Sequence, residues 1–150
     1  MTLTTLHLFI PAHEARTHAK KALAQISALQ DAEAELTDNG VITRGKVNFG
    51  LALPFEALWQ VTTSATNEVV VTLSHLKASV FGMGGDAMAE GLMKLLAKKL
   101  EGTAGVRIAG RAIHADAAAL LRERFNIELR GALREIKISR EGVSIRVEPL

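Results

Sequence analysis

The residue types able to do chemistry are few and scattered. Five histidines are present: His7, His13, His18, His75 and His114. Zinc needs three or four convergent ligands. His13 and His18 are five apart on a predicted helix, so they sit on different faces. No H-E-x-x-H or H-x-x-x-H pair occurs. The chain has no cysteine, which excludes thiolate metal sites and disulfides. The histidines therefore read as surface or partly buried side chains, and no metal is expected.

Nucleophiles fare no better. Ser27, Ser64, Ser74, Ser79, Ser139 and Ser144 lack a G-x-S-x-G context. Ser74 precedes His75, but neighbours on a strand point to opposite faces. The carboxylate pairs Glu33 with Glu35, and Asp116 with Glu123, read as solvated faces. In "FGMGGDAMAEG", Gly82, Gly84 and Gly85 precede a helix N-terminus, a place that can hold phosphate. No G-K-[ST] follows, the dinucleotide fingerprint is incomplete, and Asp86 sets a negative charge where the phosphate belongs. The cluster reads as a turn before a capped helix. Neither an enzyme nor a cofactor is expected.

Charge narrows the partners. The 150 residues carry 18 Lys/Arg and 16 Asp/Glu, a net charge of +2, with the basic surplus falling after Arg107. A nucleic-acid footprint is normally stronger, so nucleic acid is not expected as a partner. No apolar run reaches the 18 or so residues of a membrane span, and the N-terminus lacks a basic region and a full apolar core. Cytoplasmic placement is the expectation on this sequence. One α+β domain over 1–150 is expected. A chain of this length buries about 70% of its unfolded surface.

The elements follow from periodicity. "TTLHLFIP" reads as a strand closed by Pro11. Ala15, Ala19, Ala22, Leu23, Ile26 and Leu29 then form a helical stripe, and the spacing predicts a helix from Ala12 to about Leu36. Asn39 and Gly40 break it. Two strands are predicted from Val41 to Val61, with Pro54 marking a kink, an edge or the turn between them. Val69 to Val80 is the next strand. Its inward set shifts from Val69, Val71, Leu73 to Leu76, Ala78, Val80, the signature of a β-bulge. Asp86 is the expected N-cap of a helix ended by Gly102. "GVRIAGRAIHA" reads as one strand. Asp116 caps a short helix carrying Leu120, Leu121 and Phe125. Ile127, Leu129, Leu133, then Ile136 and Ile138 show a second parity slip, and "ISREGVSI" is a hairpin signal. The predicted architecture is a long, twisted and bulged antiparallel sheet packed against or wrapped around amphipathic helices.

The strongest pattern is "VNFGLALPFEALWQVTT". Val47, Phe49, Leu51, Leu53, Phe55, Ala57, Trp59 and Val61 alternate along one face. They can pack on Met88, Leu92, Leu95 and Leu96 as an ordinary core, or leave an apolar groove. In the second case the ligand-binding lining is Phe49, Leu51, Leu53, Phe55, Trp59, Met88, Leu92, Leu95 and Leu96. Met83, Met88 and Met93 are adaptable side chains suited to variable apolar shapes.

The order of parts resembles one half of the tubular lipid-binding (TULIP) superfamily. The tail, "VRIAGRAIHADAAALLRERFNIELRGALREIKISREGVSIRV", is similar to the end of its small bacterial phospholipid-binding members. There a strand leads into an aspartate-capped short helix, and a hairpin closes the sheet. "LPFEALWQV" fits the middle strands. The resemblance implies an acyl chain held between helix and sheet, with no catalysis. Members often carry a signal peptide or lipid anchor, and neither is read here. The expected function is non-catalytic binding of a lipid or apolar small molecule, or association with a membrane surface. The alternative is an assembly protein whose apolar face is buried in a homo- or hetero-oligomer.

Overall fold

The structure, a computed structural model, describes residues 2–48, 50–78 and 85–150. In chain order these form β1 (Thr2–Leu3), β2 (Leu6–Pro11), α1 (Ala12–Ala24), β3 (Leu29–Thr37), β4 (Gly40–Asn48), β5 (Ala52–Thr63), β6 (Glu68–Ala78), α2 (Gly85–Leu100), β7 (Val106–Ala109), β8 (Ala112–Asp116), α3 (Ala117–Phe125), β9 (Glu128–Leu129), β10 (Gly131–Ser139) and β11 (Gly142–Pro149). The class is α+β. A six-stranded antiparallel sheet runs in the order β3-β4-β5-β6-β8-β7. A three-stranded sheet has the order β10-β11-β2, and β1 pairs with β9 in parallel.

One face of the large sheet is apolar because its parity makes it so. Val41, Val47, Leu53, Phe55, Ala57, Trp59 and Leu73 share that face, and α2 lays Met88, Ala89, Leu92 and Met93 on them. Each large side chain removed from water this way contributes about 1.5–3 kcal/mol. The opposite face is mixed, with the half-buried Ile42–Leu58 pair beside charged residues. There Arg44 bonds Glu35 at 2.6 Å and Glu56 at 3.3 Å. These contacts, the Glu35 hydrogen bond first, raise the Arg44 pKa above its ordinary value.

The two parity slips are bulges. Leu58 pairs with His75 but Trp59 with Leu73, leaving Ser74 as the extra residue of β6. Leu133 pairs with Val147 but Glu135 with Arg146, leaving Arg134 extra in β10. A third bulge, unforeseen, lies in β3, where Gln30 faces Lys46 and Glu33 faces Arg44. Asp31 takes a left-handed conformation there, φ 53°, and the bulge closes over Gly45. A methyl on Gly45 would come within 3.0 Å of the Ala32 Cα.

Several expectations are corrected. The first helix ends at Ala24, and Leu29–Thr37 is a strand. Ala32, Ala34 and Leu36 alternate with Asp31, Glu33 and Glu35, and pairing with β4 prevails over the helical propensity of Ala and Glu. The turn between β4 and β5 precedes Ala52. Pro54 lies inside β5 opposite Lys46, beyond the described end of β6. "VRIAGRAIHAD" is a hairpin, β7–β8, turned at Gly110 with φ 59°. Asp86 lies within the first turn of α2 and bonds Arg111 at 2.6 Å. Phe125 is 67% exposed. Phe49, Ser79, Val80, Gly82, Met83 and Gly84 lie outside the described residues. Asp116 does cap α3, accepting from the Ala119 amide at 3.1 Å.

Asn67 joins the two larger sheets. Its side chain donates to the Gly131 carbonyl at 3.1 Å and accepts from the Leu133 amide at 2.9 Å. No helix among the described residues is long and apolar enough to cross a membrane.

Candidate functional site

Strand register builds an apolar cleft. Val41 faces Trp59, which faces Leu73, and in the next row Val61 faces Val71, which faces Ile113, so two adjacent apolar rows together cross β4, β5, β6 and β8. Leu92 and Leu96 come down from α2 a helical turn apart. Leu23, near the end of α1, and Leu29 of β3 close one side. Between them lies a cleft of about 240 Å³ lined by Leu23, Leu29, Val41, Thr43, Phe55, Trp59, Val61, Val71, Leu92, Leu96 and Ile113.

Its polar content is almost nil. Thr43 is the one polar residue in that lining, and its hydroxyl accepts a hydrogen bond from the Trp59 indole N–H at 2.9 Å. Both residues are buried, so the bond satisfies a donor that would otherwise be stranded. Leu23 and Leu29 also border a second, more polar cleft of about 350 Å³ with Lys20, Asp31 and Glu33. Lys20 and Glu33 approach to 3.8 Å across it. The β3 bulge is what carries Asp31 to this rim.

The residues expected to line a ligand site divide. Phe55, Trp59, Leu92 and Leu96 line the cleft. Leu53 and Met88 are buried beside it in the core, and Leu95 packs half-buried against that core. Leu51 is not brought in: it stands in the turn before β5 and is 61% exposed. Its parity is right, but a turn residue has no sheet face to share. Phe49 lies outside the described residues. Leu23, Leu29, Val41, Thr43, Val61, Val71 and Ile113 were missed, although Val61 belongs to the alternating ribbon read from the sequence. The signal for Val41, Val71 and Ile113 was their strand alternation, which becomes a shared site only once the register is known.

The candidate polar chemistry stays dispersed. Among the described residues, no three His, Asp or Glu side chains converge as a metal site. His7, His13, His18 and His75 are exposed. The Nδ1 atom of His114 is buried without a hydrogen-bond partner, 3.9 Å from Glu68 Oε2. Arg107 Nη2 lies 3.4 Å from the same carboxylate. His114 is on the face opposite the cleft, since Ile113 beside it points in. Ser74, the bulge residue, bonds the Leu58 carbonyl at 3.2 Å, far from a nucleophile's setting. Compared with family models, curated proteins and solved structures, the chain matches none.

Proposed function

We propose that this protein binds a lipid or other apolar ligand, without catalysis, in the cleft between α2 and the six-stranded sheet. The observation that carries the reading is the cleft's lining: eleven residues, of which Thr43 alone is polar and already engaged by Trp59. Such a surface offers a ligand no hydrogen bond and no charge. It selects for hydrocarbon.

Size sets the class of guest. A dry apolar cavity of about 150 Å³ holds one benzene. The 240 Å³ here suits a somewhat larger apolar group, such as a short stretch of alkyl chain. The polar cleft bordered by Leu23, Leu29, Lys20, Asp31 and Glu33 would receive the wet end of an amphiphile. In this reading the sheet wraps the helix as the tubular lipid-binding superfamily does. The capped short helix α3 and the β10–β11 hairpin support that kinship. The 13-residue α1 is shorter than the helix from Ala12 to about Leu36 expected from the sequence.

The test is direct. Native protein is denatured, extracted with organic solvent and assayed by mass spectrometry, and the stripped protein is titrated with a fluorescent fatty acid. Stoichiometric lipid, or saturable probe binding, is expected. Recovery of no lipid together with no probe binding contradicts the proposal.

A second reading, assembly through an apolar surface, is favoured by the exposure of Leu8 and Phe9 on β2, 41% and 53%. It concerns a different part of the molecule and does not compete for the cleft.

A further inference from the structure

We propose that the outer edge of β2 is a self-association edge, at which a second copy of this chain adds antiparallel and extends the three-stranded sheet to six strands. In the order β10-β11-β2, no described strand pairs with the far side of β2. Edges left open are normally blunted by lysine, bulges or inward charges. Here Leu6–Ile10 contains no Lys, Arg, Asp or Glu, and its register against β11 is unbroken. Pro11 guards only the last position.

The backbone dictates how two copies would meet. The Ala12 amide donates to the Glu141 carbonyl at 2.9 Å, so residue 12 turns its polar groups toward the β10–β11 hairpin. Orientation alternates along an antiparallel strand. Ile10, Leu8 and Leu6 therefore bond to β11, and Phe9 and His7 present their N–H and C=O groups at the open edge.

Three symmetric registers use those groups. An axis at Phe9 sets Pro11 opposite His7, and proline has no N–H to give. An axis at His7 sets two imidazoles face to face. An axis at Leu8 pairs His7 with Phe9 twice, making all four bonds, and sets Leu6 against Ile10 on the other face. The Leu8 register is the one in which every exposed donor, acceptor and apolar side chain meets its match. This self-complementarity is what names a second copy as the occupant. A six-residue strand is a short contact, so the dimer is expected to dissociate on dilution.

The chain lacks cysteine, which makes the register readable by cross-linking. In a non-hydrogen-bonded pair the two Leu8 Cα atoms would lie about 4.5 Å apart, inside the span of a disulfide. Under mild oxidation at high protein concentration, Leu8→Cys should form a covalent dimer roughly tenfold faster than Leu6→Cys or Phe9→Cys, because only its thiols face each other within bonding range. Sedimentation of the unmodified chain should show a reversible dimer that Phe9→Lys loses while keeping its melting temperature. Equal cross-linking at the three positions, a strict monomer, or a dimer indifferent to Phe9→Lys overturns the proposal. So does a monomer that instead accepts an unrelated extended peptide along β2.

Discussion

The indole N–H of Trp59 donates to the hydroxyl of Thr43 at 2.9 Å, across two adjacent strands and beneath the apolar cleft. Trp59 is the chain's one tryptophan. The bond lets the ring lie buried with no stranded donor, and it fixes the ring's orientation as part of the cleft wall. A rigid wall reduces the ordering that a guest must bring about on binding.

Replacing Thr43 by valine keeps the shape and removes the acceptor. The buried indole N–H is then unpaired, which costs about 1–3 kcal/mol. Urea unfolding should show that loss, and Thr43→Ser should recover most of it. An unchanged midpoint in Thr43→Val would mean the bond contributes nothing.

Leu96 lines the cleft but is only half-buried, so it can be altered without opening the core. Leu96→Lys places an ammonium against hydrocarbon. That costs more than the ~1.4 kcal/mol that corresponds to tenfold in affinity. Titration with a fluorescent fatty acid should show a loss of at least roughly tenfold, with the melting temperature little changed. Unaltered affinity would place the ligand elsewhere.

Asn67 stitches the C-terminal sheet to the main one through two hydrogen bonds, and it does so in a left-handed conformation, φ 61°. Asn67→Ala should lose about 2 kcal/mol, at near 1 kcal/mol per bond. Amide exchange should quicken in β10 and β11 more than in β4 and β5. Asn67→Asp keeps the acceptor for the Leu133 amide but sets a carboxylate oxygen against the Gly131 carbonyl, so it should not recover the loss. Uniform exchange would show that the two sheets open together.

Gly40 begins β4 with φ 137°, and a methyl there would overlap the Trp59 carbonyl oxygen. Gly40→Ala should destabilise by about 1–3 kcal/mol from backbone strain, with the overlap adding to it. Its tryptophan emission should shift, because the strand carrying the indole must move. Full stability would mean that β4 yields without disturbing β5.

Sheet geometry was legible where it left a mark in parity. Val69-Val71-Leu73 giving way to Leu76-Ala78 marked the bulge at Ser74. Leu133 followed by Ile136 marked the one at Arg134. Asp116 before three alanines marked its helix cap. The segment from Leu29 to Leu36 was not legible. Its alanines and glutamates favour a helix locally, and only the partner strand β4, which lies later in the chain, makes it a strand. The site was half legible for the same reason. Phe55, Trp59, Leu92 and Leu96 share one ribbon and one helix face. Val41, Val71 and Ile113 join them through inter-strand register, a property no single segment carries.

The most direct test uses the emission of Trp59, the sole tryptophan and a wall of the cleft. Stripped protein is titrated with a medium-chain fatty acid below its micelle concentration. The predicted result is a saturable change in Trp59 emission, lost in Leu96→Lys. Emission unmoved across the titration by a protein that remains folded would contradict ligand binding in this cleft.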